Sequence, residues 1–223
     1  MSPERPPLGR RVAAEGLGSF LLFACVIGSG IMAQNLSGGN DAIALLGNTL
    51  ATGAILFVLI TIFGPISGAH MNPAVSLVFA ARRELSWSDA AAYIAAQFAF
   101  GILGAWAAHR MFDLPTLELS VKARGGLGKG LGEAIATFGL MLTILGTIRY
   151  RREWVAPAVA LYITAAYWFT SSTSFANPAI TVARSLTNTF AGIAPHDVPL
   201  FVTGQLLGAG LAAATARWLF PPA

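Results

Sequence analysis

The tripeptide Asn-Pro-Ala occurs twice in this chain, at Asn72-Pro73-Ala74 within GPISGAHMNPAVSL and at Asn177-Pro178-Ala179 within STSFANPAITVARSL. Asn caps a helix through its side-chain oxygen, and Pro at the first helical position has the required φ and no amide to satisfy. Each copy therefore reads as a loop entering a helix. The weakly charged stretches that follow, Ala74 to Ala81 and Ala179 to Asn188, hold roughly ten residues each and predict ~15 Å of helix. That is about half of the ~30 Å hydrocarbon core of a bilayer. Two half-length helices, both opened by Asn-Pro, are expected to meet near a membrane midplane.

Composition makes the membrane reading secure. The chain is 55% hydrophobic and 11% charged over 223 residues, with a mean hydropathy of +0.65, outside the range of soluble domains. Apolar runs extend over Val12 to Gln34, Ala42 to Gly64, Ala90 to Ala108, Gly130 to Ile148, Trp154 to Thr170 and Val198 to Ala216. Each is long enough, or nearly so, to span. None carries the flanks of a cleaved secretory signal, so the first is expected to stay as a helix. In lipid only helices and closed barrels pair all their backbone amides, and these runs lack the alternation of barrel strands. The predicted fold is an all-α membrane protein of six transmembrane helices plus two half-membrane re-entrant helices.

The net charge of +4 does not indicate nucleic acid, because the basic residues lie between the apolar runs. With both termini cytoplasmic, Arg5, Arg10, Arg11, Arg82, Arg83, Arg149, Arg151, Arg152 and Arg217 fall inside. Arg110, Lys122, Arg124, Lys129 and Arg184 fall outside, and nine against five favours that orientation. Cys25, the single cysteine, reads as core packing.

The chain also repeats beyond the tripeptide. AEGLGSFLLF around Glu15 resembles GEAIATFGLML around Glu133, and YIAAQFAFG around Gln97 resembles FVTGQLLGAG around Gln205. The order in both halves is Glu, Asn-Pro-Ala, Gln, with Asn72 25 residues before Gln97 and Asn177 28 before Gln205. Three spans per half force the second half to enter from the opposite face, giving an inverted 3+3 repeat. Repeats of about 8–110 and 127–219 are expected within one domain over 1–223. Functional sites of such proteins lie where irregular backbone lines a midplane cavity.

These motifs, in this order within six spans, resemble the aquaporin and glycerol-facilitator family, the major intrinsic proteins, over essentially the whole chain. Opposed helix N-termini disfavour cations at the centre, while the Asn72 and Asn177 amides, their NH₂ groups left free by capping, are expected to donate to a passing oxygen. The intramembrane acids Glu15 and Glu133 must be partnered. The resemblance implies that they accept bonds from the motif loops, a structural role in preference to proton relay. Gln97 and Gln205 read as interhelical polar glue, His70 as structural or pore-lining, and His109 and His196 give no site signal. No catalytic constellation, cofactor site or metal site is evident, so the chain is not expected to be an enzyme.

Most members of the family carry an arginine directly after the second motif; here that position is Ile180. The family alignment implies Thr52, Ala165 and Ser174 as the other filter positions. Thr, Ala, Ser and Ile predict a wide, weakly polar opening suited to polyols, urea-sized solutes or metalloid hydroxides. The pattern resembles a bacterial branch associated with trivalent arsenic, which makes arsenite and antimonite hypothesised substrates. Arg184, seven residues after Asn177, returns to about the same helix face and is either an outer-mouth charge or a structural arginine bonding loop carbonyls. The expected function is a passive channel for small uncharged solutes. A strict water channel, an ion-conducting channel and a proton-coupled carrier are the alternatives. The resemblance also implies a homotetramer and a bacterial inner-membrane location.

Overall fold

The computed structural model describes residues 5–220 and contains eight α-helices and no strand among them. They are α1 (Leu8–Leu36), α2 (Asp41–Ser67), α3 (Pro73–Ala81), α4 (Trp87–Met111), α5 (Leu127–Tyr150), α6 (Val155–Phe169), α7 (Pro178–Ser185) and α8 (Val198–Leu219). Both halves run long helix, long helix, half helix, long helix, the second with a shortened α6. Five helices are long and apolar enough to cross a membrane, four of them α1, α2, α4 and α5, and the fifth α8 with the single turn Pro195–Asp197 ahead of it. The sixth span, α6, has 15 residues and hence ~22 Å of rise. A single turn at Arg152–Trp154 precedes it.

Local chemistry sets the boundaries. Asn40 caps α2 by accepting from the amides of Ala42 and Ile43, and Gly68, with φ of 91°, ends it in the left-handed region. Ser86 caps α4 by accepting from Asp89 N. α7 stops at Ser185 rather than continuing to Asn188. Past it the chain folds back, so that Ile193 N donates to the Arg184 carbonyl while the Asn188 side chain accepts from Val121 N.

The pairs α1/α4 and α5/α8 pack closely, and α2 meets α6 across the pseudo-twofold. Small residues permit the approach. A Cβ on Gly104 would lie 2.2 Å from the Phe20 carbonyl oxygen, and one on Gly208 would lie 2.1 Å from that of Ala134. The Gly204 to Gly208 spacing therefore serves contact within the chain, α8 on α5.

Candidate functional site

Each Asn-Pro-Ala loop hangs from a buried carboxylate. Glu15, fully buried in α1, accepts from Ser67 Oγ (2.7 Å), His70 N (2.8 Å), Met71 N (2.6 Å) and Gln97 Nε2 (2.8 Å). Glu133, equally buried in α5, accepts from Phe175 N and Ala176 N, both at 2.8 Å, and from Gln205 Nε2 at 2.5 Å. The second hydrogen of each glutamine amide goes to the half-helix that follows the motif, to Ser76 Oγ in one half and Thr181 Oγ1 in the other. A carboxylate out of water is tolerable only when its lone pairs are filled by such donors.

The loops share a backbone course. Gly68, Ala69 and Met71 have φ of 91°, 50° and 46°, and the matching Thr173, Ser174 and Ala176 have 62°, 48° and 49°. Non-glycine residues pay for left-handed geometry, so this double occurrence marks loops held in place by their surroundings. The asparagine oxygens cap the half-helices through Ala74 N and through Ala179 N and Ile180 N. The amide nitrogens cross between halves: Asn72 Nδ2 donates to the Ala176 carbonyl (2.7 Å) and Asn177 Nδ2 to that of Met71 (2.8 Å). The expected free NH₂ is thus half used, leaving each asparagine one N–H.

A cavity of about 930 Å³ passes these asparagines. On the face that holds the N-terminal segment it opens beside Arg5, Glu84, Arg152 and Glu153. Toward the other face it is lined by Thr52, Tyr167, Ser174, Ile180 and Arg184, and no residue of 112–126 or 186–197 lines it. His70 lines the cavity, lies tilted against Phe79 (4.7 Å) and holds its Nδ1 3.1 Å from Ser76 Oγ.

Ala165 does not reach this cavity. The α6 stripe that faces it is Val155, Val159, Ile163 and Tyr167, at helical spacing, and Ala165 lies ~200° away from its neighbours on that stripe, on the exposed side. The connection from α6 to the motif is tighter than the family count assumes, turning sharply where Thr173 N donates to the Thr170 carbonyl. Tyr167 takes the place instead. Its hydroxyl donates to Thr52 Oγ1 (3.3 Å), which donates to the Asn48 carbonyl (2.8 Å). Asn48 Nδ2 in turn bonds the Val26 carbonyl and Ser29 Oγ, so the two residues are fixed through four links. The cavity lining at this level consequently carries an aromatic ring, contrary to the small-residue expectation. The buried Ser174 Oγ has no partner within the protein.

Arg184 is 2% exposed. Its Nε donates to the Ala191 carbonyl, as a structural arginine would, and its guanidinium also lines the cavity. Around it lie two further cations of the loop joining the halves. Arg124 is spent on the Gly192 carbonyl (2.7 Å), the Phe190 carbonyl and Thr173. Lys122 Nζ donates to the Phe190 carbonyl at 2.9 Å. Burial first, then repulsion from Arg124 and Arg184, pushes the Lys122 ammonium down to about 8. His109, which gave no signal in the sequence, is a buried joint: Nδ1 donates to the Pro115 carbonyl and Nε2 lies 2.6 Å from Thr187 Oγ1.

Two opposed half-helices whose N-termini meet beside a long cavity inside a bundle of membrane-spanning helices are the architecture of a channel protein. The chain matches the family model "Major intrinsic protein" over residues 4–170. It is 60% identical over 216 residues to the aquaglyceroporin AqpS of Rhizobium meliloti (strain 1021), covering 97% of this chain and 92% of that one. Aquaporin NIP2-3 of Zea mays is 32% identical over 196 residues, covering 84% of this chain and 64% of the plant protein. The X-ray structure of the aquaglyceroporin from Plasmodium falciparum shares the fold with a TM-score of 0.78 at 18% identity, covering 97% and 98% of the two chains. The chain belongs to the major intrinsic protein family.

Proposed function

We propose that this protein is a passive channel for small uncharged solutes: glycerol and other polyols, water, and metalloid hydroxides such as arsenite and antimonite. The observation that carries the reading is the crossed pair of asparagines at the cavity centre. Each fixes its own half-helix, ties itself to the opposite loop and retains one N–H for a passing oxygen. The positive ends of two helices at the same place oppose cations. Nothing there resembles the coupling acid of a carrier, since both buried glutamates are filled by loop donors.

The filter on this reading is Thr52, Tyr167, Ser174 and Ile180, with the aliphatic Ile180 widening what Tyr167 narrows. That supports solutes larger than water over a strict water channel. The relative named as an aquaglyceroporin supports the same class. The two inverted repeats, about 8–110 and 127–219, form a single domain, and both termini face the cytoplasm of a bacterial inner membrane, following the basic-residue bias. Each subunit of a homotetramer holds its own pore; native mass spectrometry from detergent checks the assembly.

Stopped-flow measurement on reconstituted vesicles, comparing water, glycerol and arsenous acid, tests the function. Wild type is expected to pass all three, and Ile180→Arg to lower glycerol and arsenous acid flux about tenfold with water less affected. Equal fluxes in the variant would remove Ile180 from the filter. Uptake that collapses with an uncoupler would make the protein a carrier.

A further inference from the structure

Counted from the motif asparagines, the residue two before and the residue seven after touch in both halves. In the first half they are His70 and Phe79, with ring centroids 4.7 Å apart. In the second they are Phe175 and Arg184, with the guanidinium carbon 3.4 Å from the ring centroid. The contact has a general cause. Helical side chains lean toward the N-terminus, so the residue seven along reaches back over the residue three along to the loop that precedes the helix. An arginine at that position delivers its charge near the height of Ile180 rather than to the outer mouth.

The guanidinium is held there. The Phe175 face supports it, and the ring itself is fixed by the Phe175 N bond to Glu133 (2.8 Å) and by edge contact with Phe201 at 4.9 Å. The Ala191 carbonyl takes Nε, and the Tyr167 phenol is a further hydrogen-bond partner. Among the described residues no carboxylate forms a salt bridge with Arg184. Its charge is therefore left to act on the cavity that it lines, beside the unpartnered Ser174 hydroxyl.

We infer that Arg184 is the fixed cation of the filter, a specificity-determining residue that does from seven positions after Asn177 what Ile180 cannot, with Phe175 as its positioning residue. The inference rests on the channel reading above. A fixed positive charge in a low-dielectric tier repels protons and metal cations while its free N–H groups donate to solute oxygens. The chain keeps cation exclusion and gains room at Ile180, two properties that a single arginine at position 180 would set against each other.

The test uses the full-length protein in vesicles, reading glycerol flux by stopped flow and proton leak by an internal pH dye under a potassium diffusion potential. Arg184→Ala is expected to raise the proton leak about tenfold or more while glycerol conduction remains measurable above that of protein-free vesicles. Arg184→Lys keeps the leak low. Adding Ile180→Arg to Arg184→Ala restores exclusion, which a purely structural arginine would not allow. Should Arg184→Ala fail to fold, Arg184→Gln, which keeps a donor for the Ala191 carbonyl, must show the same leak. A wild-type leak in a folded Arg184→Ala or Arg184→Gln protein that still conducts glycerol overturns the inference alone. Wild-type glycerol flux no higher than in protein-free vesicles overturns the channel reading and the inference with it.

Discussion

The two motif loops are built on one plan and finished differently. Both hang from a buried glutamate, both turn through the same sequence of left-handed residues, and both send an asparagine amide to the other's carbonyl. They differ in what they show the cavity. Three residues before the asparagine stands Ala69 in the first loop and Ser174 in the second; seven after it, Phe79 and Arg184. The first loop is apolar at both places and the second polar at both. The two loops share a frame, and they differ in side chains that the frame does not need.

The strongest way to break this comparison is to attack the frame. Glu15→Gln and Glu133→Gln each replace an acceptor of backbone amides by a group that presents N–H to N–H, and each should destabilise by about 3 kcal/mol or more. Thermal unfolding in detergent is expected to show similar losses for both. Unequal losses would mean that the halves are not held alike. A smaller effect is expected at the finishing residues. Tyr167→Phe removes the bond to Thr52 Oγ1, worth about 1 kcal/mol, and should change the glycerol-to-water permeability ratio by about threefold.

The smallest effect concerns Lys122, whose charge has no counterpart beside the first loop. Its folded value of about 8 lies below the 10.5 of a free lysine, so the unfolded chain holds more protons between those values and stability rises slightly as pH passes from 8 toward 10.5. NMR of dimethylated lysines should show this titration, and Arg184→Ala should move it upward by removing one of the repelling charges.

Much of this was legible in the sequence. The half-helices, the buried glutamates and the glutamines each follow from residue type and order, because each is dictated by what lipid forbids. Tyr167 was missed because its position was counted back through a loop whose length no residue reveals. The stripe Val155, Val159, Ile163, Tyr167 was the signal that could have found it, since only that face of α6 turns inward. Arg184 was placed on the correct face but not at the correct height. Its reach depends on the Ala191 carbonyl, brought over it by a segment with no periodicity to read. His109 joins α4 to Thr187, a contact across 78 residues that a local reading does not see.

The crossed asparagine amides carry a consequence for how such a chain comes to be. A nascent chain inserted only as far as α4 holds a Met71 carbonyl and an Asn72 amide whose partners, Asn177 and Ala176, have not yet been synthesised. Within a bilayer those groups find little else to bind. Glu15 can hold the first loop within its own half, but the two crossed bonds can form only once both halves are in the membrane, so the centre of the cavity is completed by both together.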